Sequence, residues 1–213
     1  MTDVNSFIDE QDVWKTIDPD HIWIMDKLIL SSKLGYTCGP VGTPVPKPDW
    51  YMVRPCVNAL GLGLGAEKVW IDEFTDHLTP GHFWCEIFEG RHFSVDYHYG
   101  LPNLIVEGHK SYASYTKWDR WSRIDDWDAV NRVFDFPKIL DPVIDKPWIN
   151  CEFIGNKLIE VHFRRNADFQ WENSEFVPVW DGPYPGKVTE MEAVGYKYVD
   201  YPDIHGRIGA FVK

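Results

Sequence analysis

One segment, Tyr51–Gly65 (YMVRPCVNALGLGLG), constrains this chain more than any other. A short apolar run, Tyr51-Met52-Val53, ends at Arg54-Pro55, and a loop follows that carries Gly61, Gly63 and Gly65. Glycine lets the backbone come close to a ligand and point successive N–H groups at an anion, while an adjacent cation holds oxygens from the side. Glycine-rich loops also serve as plain turns, so the weight of the segment depends on what the rest of the chain can bring to it.

At 213 residues the chain can bury a real core and accommodate one or two domains. Hydrophobic residues make up 44% and charged residues 25%, the balance of a soluble globular protein. The formal charge of −12 argues against broad binding to nucleic acid or to an anionic membrane, both of which need a basic face, and still permits a local cationic pocket. Cys38, Cys56, Cys85 and Cys151 form no CxxC and no zinc-like pairing with histidine, which fits reduced, mostly buried thiols in a cytosolic protein. The N-terminus MTDVNSFIDEQDVWK is acidic and lacks an apolar core, so no secretory signal is expected. No apolar run approaches the roughly 20 residues that span a bilayer. The expectation is a soluble cytoplasmic protein.

Residues 1–21 read as a loosely tied arm. Asp26 has the place of an N-cap for a helix over Lys27–Leu34, stopped at Gly35. Four prolines between positions 40 and 48 make residues 36–50 an extended connector. Lys68–Ile71 reads as a strand, and Trp84–Phe88 and His92–Tyr97 as apolar runs joined through Glu89-Gly90-Arg91 by a hairpin or a bend. Residues 101–123 show no clear period and read as loop. Trp127, Val130, Val133 and Phe134 approach helical spacing within Asp125–Leu140. Trp148–Ile154 and Leu158–Phe163 form a β-hairpin around Gly155-Asn156-Lys157, and the chain ends in a strand-like GRIGAFV.

That hairpin holds the most chemistry. A three-residue loop sets Glu152 opposite Glu160, with His162 on the same face. Two carboxylates and a third donor suit Mg²⁺, which takes one or two carboxylates plus phosphate oxygens; the alternative is an exposed, merely polar hairpin face. Arg164-Arg165 follows at once, either to fork onto a carboxylate or phosphate or to cap the strand as a solvated pair. Lys27 is a surface lysine unless its helix faces the glycine loop. The run from Trp84 to Gly90 could line a purine slot, or could be a strand and a turn. GLGLG is not GxGxxG, no GK[ST] follows it, and GxSxG and HExxH are absent, which sets aside Rossmann, Walker, hydrolase and zincin readings.

Taken in order, these segments resemble the ATP-grasp superfamily. MDKLILSSKLGY followed by YMVRP is similar to the opening of D-alanine–D-alanine ligases and biotin carboxylases; WCEIFEGRHFSVDYHYG resembles the family's hinge and its Ser-Val-Asp strand; CEFIGNKLIEVHFRR resembles the closing Ile-Glu-x-Asn-x-Arg hairpin. The likeness covers residues 22–166 and implies an α+β fold, ATP-grasp-like, of two small α+β subdomains with a nucleotide between them. It places a first subdomain at 22–82, a second at 83–166, and a C-terminal extension at 167–213 packed on them. The stretch before Lys27 is too short for the separate α/β domain that commonly precedes the grasp domains.

By position, the resemblance implies phosphate-holding roles for Lys27 and for Arg54, which stands where a second lysine is usual. Gly61, Gly63 and Gly65 match the loop that closes over the phosphates, and Glu86 and Phe88 match the adenine hinge. His92 stands where many members have a ribose-binding glutamate. Glu160 matches the metal glutamate, His162 replaces the usual asparagine, Glu152 is the candidate for the earlier metal acid, and Arg164 matches the arginine expected to stabilise the transferred phosphoryl group. The implied activity is an ATP- and Mg²⁺-dependent ligase that joins small-molecule carboxylates to amines (or thiols) through an acylphosphate. A grasp-fold nucleotide-binding or assembly module without turnover is the second expectation, and a purely structural protein the third.

Overall fold

A computed structural model describes residues 10–57, 63, 65–110, 117–126, 134–170, 172–180, 185–204 and 206–213. Among them lie three α-helices, α1 (Glu10–Thr16), α2 (Lys27–Lys33) and α3 (Pro185–Ala193), and twelve strands in two sheets. The smaller sheet has the order β1-β4-β2-β3, built from Cys38–Pro40, His82–Cys85, Asp49–Pro55 and Glu67–Ile71. The larger sheet has the order β11-β12-β10-β7-β6-β5-β8-β9. In chain order its strands are β5 (His92–His98), β6 (Leu101–His109), β7 (Arg120–Arg123), β8 (Ile149–Ile154), β9 (Lys157–His162), β10 (Glu175–Trp180), β11 (Lys197–Ile204) and β12 (Arg207–Val212). Every pairing is antiparallel.

The α2 start is set by Asp26, whose carboxylate accepts from the N–H groups of Leu28 and Ile29 at 2.9 and 3.0 Å. Gly35, at φ +74°, stops the helix as expected. Glu10–Thr16 is helical with Val13 buried, and Pro19–Ile24 forms a 3₁₀ helix, so the second half of the expected arm is ordered structure. The proline-rich connector contains the short strand β1.

Trp84–Phe88 and His92–Tyr97 are joined by a bend rather than a hairpin: β4 closes the small sheet and β5 lies in the large one. Gly90, at φ +127°, makes that crossing possible, because a Cβ there would come within 3.0 Å of the Gly155 backbone at the tip of the β8–β9 turn. Residues 101–123, expected as loop, supply β6 and β7 instead. Leu104, Ile105 and Val106 are consecutive and all buried, so β6 has both faces covered and no alternation to betray it. Of the helix expected over Asp125–Leu140, Trp127, Val130 and Val133 lie outside the described residues; Lys138–Val143 is a 3₁₀ helix.

The main core lies on one face of the large sheet. Phe93, Val95 and Tyr97 of β5, Ile149, Cys151 and Phe153 of β8, and Val161 of β9 pack there against Ile24, Leu30 and Phe134. The period of two then sends His92, Ser94, Asp96, Asn150, Glu152, Glu160 and His162 to the other face.

Candidate functional site

Two rows of polar residues cross that second face. Ser94, Glu152 and Glu160 lie side by side across β5, β8 and β9, and Asp96, Asn150 and His162 form the next row. The opposition of Glu152 and Glu160 matches expectation, though by a different route. The turn holds two residues rather than three, pairing Ile154 with Lys157 and Phe153 with Leu158, and a bulge at Ile159 of β9, between the Phe153 and Glu152 pairs, restores the register.

Glu160 is 6% exposed and His162 3%, so this is no solvated hairpin face. The ammonium of Lys27, a residue 4% exposed, lies 3.2 Å from one Glu160 oxygen, and His162 Nε2 lies 3.1 Å from the other. Burial pushes the Glu160 carboxyl up, but Lys27, His162 and Arg54 together hold it well below the usual glutamate range. Lys27 is therefore not a surface lysine. Its helix begins where its backbone N–H donates to Cys56 O at 2.7 Å, which ties α2 to the end of β2.

Arg54 reaches the same place from β2. Its Nη2 donates to Ile159 O at 3.1 Å, its guanidinium lies over the Phe83 ring at 5.2 Å, and its buried Nε has no hydrogen-bond partner among the described residues. Two cations, a carboxylate and an imidazole thus meet at the β9 edge of the large sheet. Of the loop expected to cover them, Gly61 lies outside the described residues, while Gly63 and Gly65 have φ of +63° and +76°.

The structure divides the expected metal donors. Glu152 pairs with His92 at 3.1 Å and Glu160 with Lys27 and His162, and among the described residues no three His, Cys, Asp or Glu side chains cluster to hold an ion. His92 packs edge-on against Trp118 and Trp121, with ring centroids 4.5 and 5.4 Å away. Glu86 is committed to the small sheet: its N–H donates to Thr37 O and its carboxylate accepts from Thr37 N–H, both at 2.8 Å. Phe88 meets the Tyr36 ring edge-on at 4.7 Å. Arg164 Nη1 donates to Arg165 O at 3.0 Å, and both arginines exert their charge on Asp96.

Asp96 was not singled out from the sequence. It is 1% exposed and accepts from Asn150 Nδ2 at 2.9 Å and from the backbone N–H of Asn166, whose side chain donates to Ser94 Oγ at 3.1 Å. Burial pushes its carboxyl up to about 6, against the pull of these bonds and of Arg165 and Arg164. The available signal was the alternation of Ser94 and Asp96 with Phe93, Val95 and Tyr97.

An anion and a cation both suit this cradle. The Arg54 Nε is a buried donor with no acceptor among the described residues, which suits a phosphate site. Glu160, ionised and backed by His162, is the kind of oxygen donor that Mg²⁺ takes one or two of when nucleotide phosphates complete its shell. Lys27 and Arg54 would hold phosphate oxygens, and Glu160 the metal.

No protein-family model matches the sequence, and no curated protein does. Solved structures do. A protein of Archaeoglobus fulgidus described as of the ATP-grasp superfamily superposes with a TM-score of 0.55 at 13% identity, over 90% of this chain and 64% of that one. N5-carboxyaminoimidazole synthetase from Staphylococcus aureus, complexed with ADP, gives 0.56 at 11% identity over 96% and 73%. L-amino acid ligase from Bacillus licheniformis gives 0.54 at 9% identity over 89% and 66%. The chain has the ATP-grasp fold, in an α+β form that spans less than two thirds of the first of these proteins.

Proposed function

We propose that this protein is an ATP- and Mg²⁺-dependent ligase that joins a small-molecule carboxylate to an amine (or thiol). The observation that carries the reading is the meeting of Lys27, Arg54 and Glu160, from three separate elements, in one buried cradle of a fold found in ligases. In this reaction class the acid is activated as an acylphosphate, which the amine then opens with release of phosphate. The chain's part is positioning and charge stabilisation. Lys27 and Arg54 hold phosphate oxygens; Glu160, assisted by His162, anchors the metal; Glu152 and His92 form a second polar pair on the same sheet face. Arg164, on the segment that Asp96 ties down through Asn166, stabilises the transferred phosphoryl group. Action on small-molecule substrates in the cytoplasm belongs to the same proposal; among the described residues no helix is long and apolar enough to cross a membrane.

The test is ADP release from ATP and Mg²⁺ with panels of acids and amines, comparing the parent with Arg164→Ala and Arg165→Ala. Losing one preorganised electrostatic donor costs on the order of 10²–10³ in rate. Arg164→Ala is expected to fall by that much and Arg165→Ala by far less; equal rates remove Arg164 from the mechanism. The imidazole of His162 beside Glu160, a softer donor than Mg²⁺ prefers, favours a second reading as a nucleotide-binding module. ATP-induced stabilisation without turnover on any substrate pair would establish that reading over the ligase.

A further inference from the structure

Cys38 and Cys85 stand directly opposite each other where β1 pairs with β4. Glu86 N–H donates to Thr37 O at 2.8 Å and Val41 N–H to His82 O at 3.3 Å, which fixes the phase of the ladder. Hydrogen-bonded and non-hydrogen-bonded pairs alternate along an antiparallel ladder, so Gly39 and Trp84 are a bonded pair and Cys38 and Cys85 a non-bonded one. In such a pair the Cα atoms lie about 4.5 Å apart and the side chains share a face at their closest approach. A disulfide accepts Cα separations from about 4.4 to 6.8 Å. Both residues are free thiols here, Cys38 half-buried and Cys85 2% exposed.

The same register puts Arg54 beside them. Met52 is opposite Cys85 and Arg54 opposite Phe83, so Arg54 lies one diagonal step from Cys85 on the same face, close enough for its charge to pull against the burial of the Cys85 thiol. That face of the small sheet fronts the cradle, since Arg54 reaches on to Ile159 O.

We propose that Cys38 and Cys85 are a redox modification site, closing reversibly into a cross-strand disulfide that weakens the grip of Arg54 on ATP. With a low-molecular-weight disulfide as oxidant, the Cys38 thiolate attacks one sulfur and expels the first thiolate. The Cys85 thiolate then attacks the Cys38 sulfur of the mixed disulfide and expels the second. One small disulfide is reduced to two thiols, which take up the two protons lost from the cysteines, and one protein disulfide forms. Cys38 reacts first because it is the one solvent can reach. Burial pushes both thiols up, against the opposing pull of Arg54, so the exchange is slow at neutral pH and quickens as pH rises. Closure locks the Cys85 sulfur, on the same face one diagonal step from Arg54, to Cys38, beside a guanidinium whose Nε lacks a partner among the described residues.

The part concerning ATP rests on the proposed function; the disulfide does not. The experiment incubates the whole protein with glutathione disulfide at neutral and mildly alkaline pH and maps its peptides without reduction. In parallel, the rise in melting temperature with ATP and Mg²⁺ is measured before oxidation, after it, and after dithiothreitol. A Cys38–Cys85 linked peptide is expected, formed faster at the higher pH, absent in Cys38→Ser and retained in Cys56→Ser, with the ATP-induced rise at least halved on oxidation and restored by reduction. A glutathione adduct on Cys38 that never resolves, or a link through Cys56 or Cys151 instead, overturns the site. A linked peptide with the ATP response unchanged overturns its coupling to Arg54. Should the reduced protein show no ATP response at all, the ligase reading fails and the peptide map alone decides the disulfide.

Discussion

Replacing Lys27 with methionine tests the cradle without touching the core around it. Methionine keeps the length of the lysine stem and removes the charge. The Lys27 and Glu160 side chains are 5% and 8% exposed, so their contact at 3.2 Å is scarcely screened by solvent. Removing one partner of a buried ion pair costs about 3–5 kcal/mol, because the other charge stays buried. Glu160 keeps His162 at 3.1 Å and the charge of Arg54, which puts the cost at the lower end, about 3 kcal/mol. For a chain of this length that is a fall in melting temperature of roughly 6–12 °C. The pH dependence follows with a definite sign. The folded Glu160 pKa lies below its ordinary 4.5, so the pair's stabilisation is complete above that value and is lost as pH falls through the folded one. Without Lys27 the folded pKa rises, and acid unfolding of the variant begins at a higher pH than in the parent. Thermal melts and acid titrations of Lys27→Met, Glu160→Gln and the double variant measure all of this. The double variant is expected to cost less than the sum of the single ones by more than about 1 kcal/mol, as residues in direct contact do. Additive effects, or a Lys27→Met melt within about 2 °C of the parent, where a lost buried pair predicts several times that, would refute the argument.

Three further perturbations reach other parts of the site. Glu160→Gln keeps the volume and loses the charge, so it is expected to abolish the Mg²⁺ dependence of ATP binding in a protein that still folds, as read by calorimetry with and without Mg²⁺. Asp96 has a folded pKa of about 6 against an ordinary 3.8, so its contribution to stability is fully present below 3.8 and is lost as pH rises through about 6. Asp96→Asn retains an acceptor for the Asn166 N–H and is expected to flatten the urea-midpoint profile across that window; an unchanged slope would mean that Asp96 stays ionised throughout. Gly65→Ala places a Cβ within 3.3 Å of the Pro55 ring at φ +76°, and should cost about 1–2 kcal/mol in a urea titration, the penalty of a left-handed non-glycine residue.

What the sequence made legible was what is decided locally. The Asp26 cap and the Gly35 stop sit within a few residues of the bonds they make, so α2 and the placement of Lys27 could be read directly. The hairpin over β8 and β9 was legible for the same reason, and its facing glutamates survived a wrong turn length because the bulge restored the register. β6 was illegible because Leu104, Ile105 and Val106 are all buried, and alternation marks a strand only when one face is wet. β7, with Arg120 at one end and Arg123 at the other, is defined by its pairing to Val106–His109 and Glu175–Phe176 rather than by its own residues. The partners of the candidate residues were likewise beyond local reading: Arg54 and Ile159 are 105 positions apart, and Glu152 meets His92 only across a completed sheet.

The cradle's charges also bear on how the two sheets meet. α2 buries Leu30 in the core of the large sheet while its first N–H bonds to Cys56 at the end of β2 in the small one. Lys27–Glu160 and Arg54–Ile159 are polar ties at that junction, one ionic and one to a strand carbonyl. Each tie uses a group that a phosphate or a metal would claim: the ammonium and the guanidinium on one side, the carboxylate on the other. Under the proposed function, a bound nucleotide with its metal would replace contacts across the junction rather than fill an inert gap. A ligand of phosphate alone leaves Glu160 without its ammonium, and a metal alone leaves Lys27 without its carboxylate. Only the two together satisfy all the groups at once. On the proposed reading, the buried pair would favour taking nucleotide and metal as a unit, and that preference depends on burial, since in water either charge could be left to solvent at little cost.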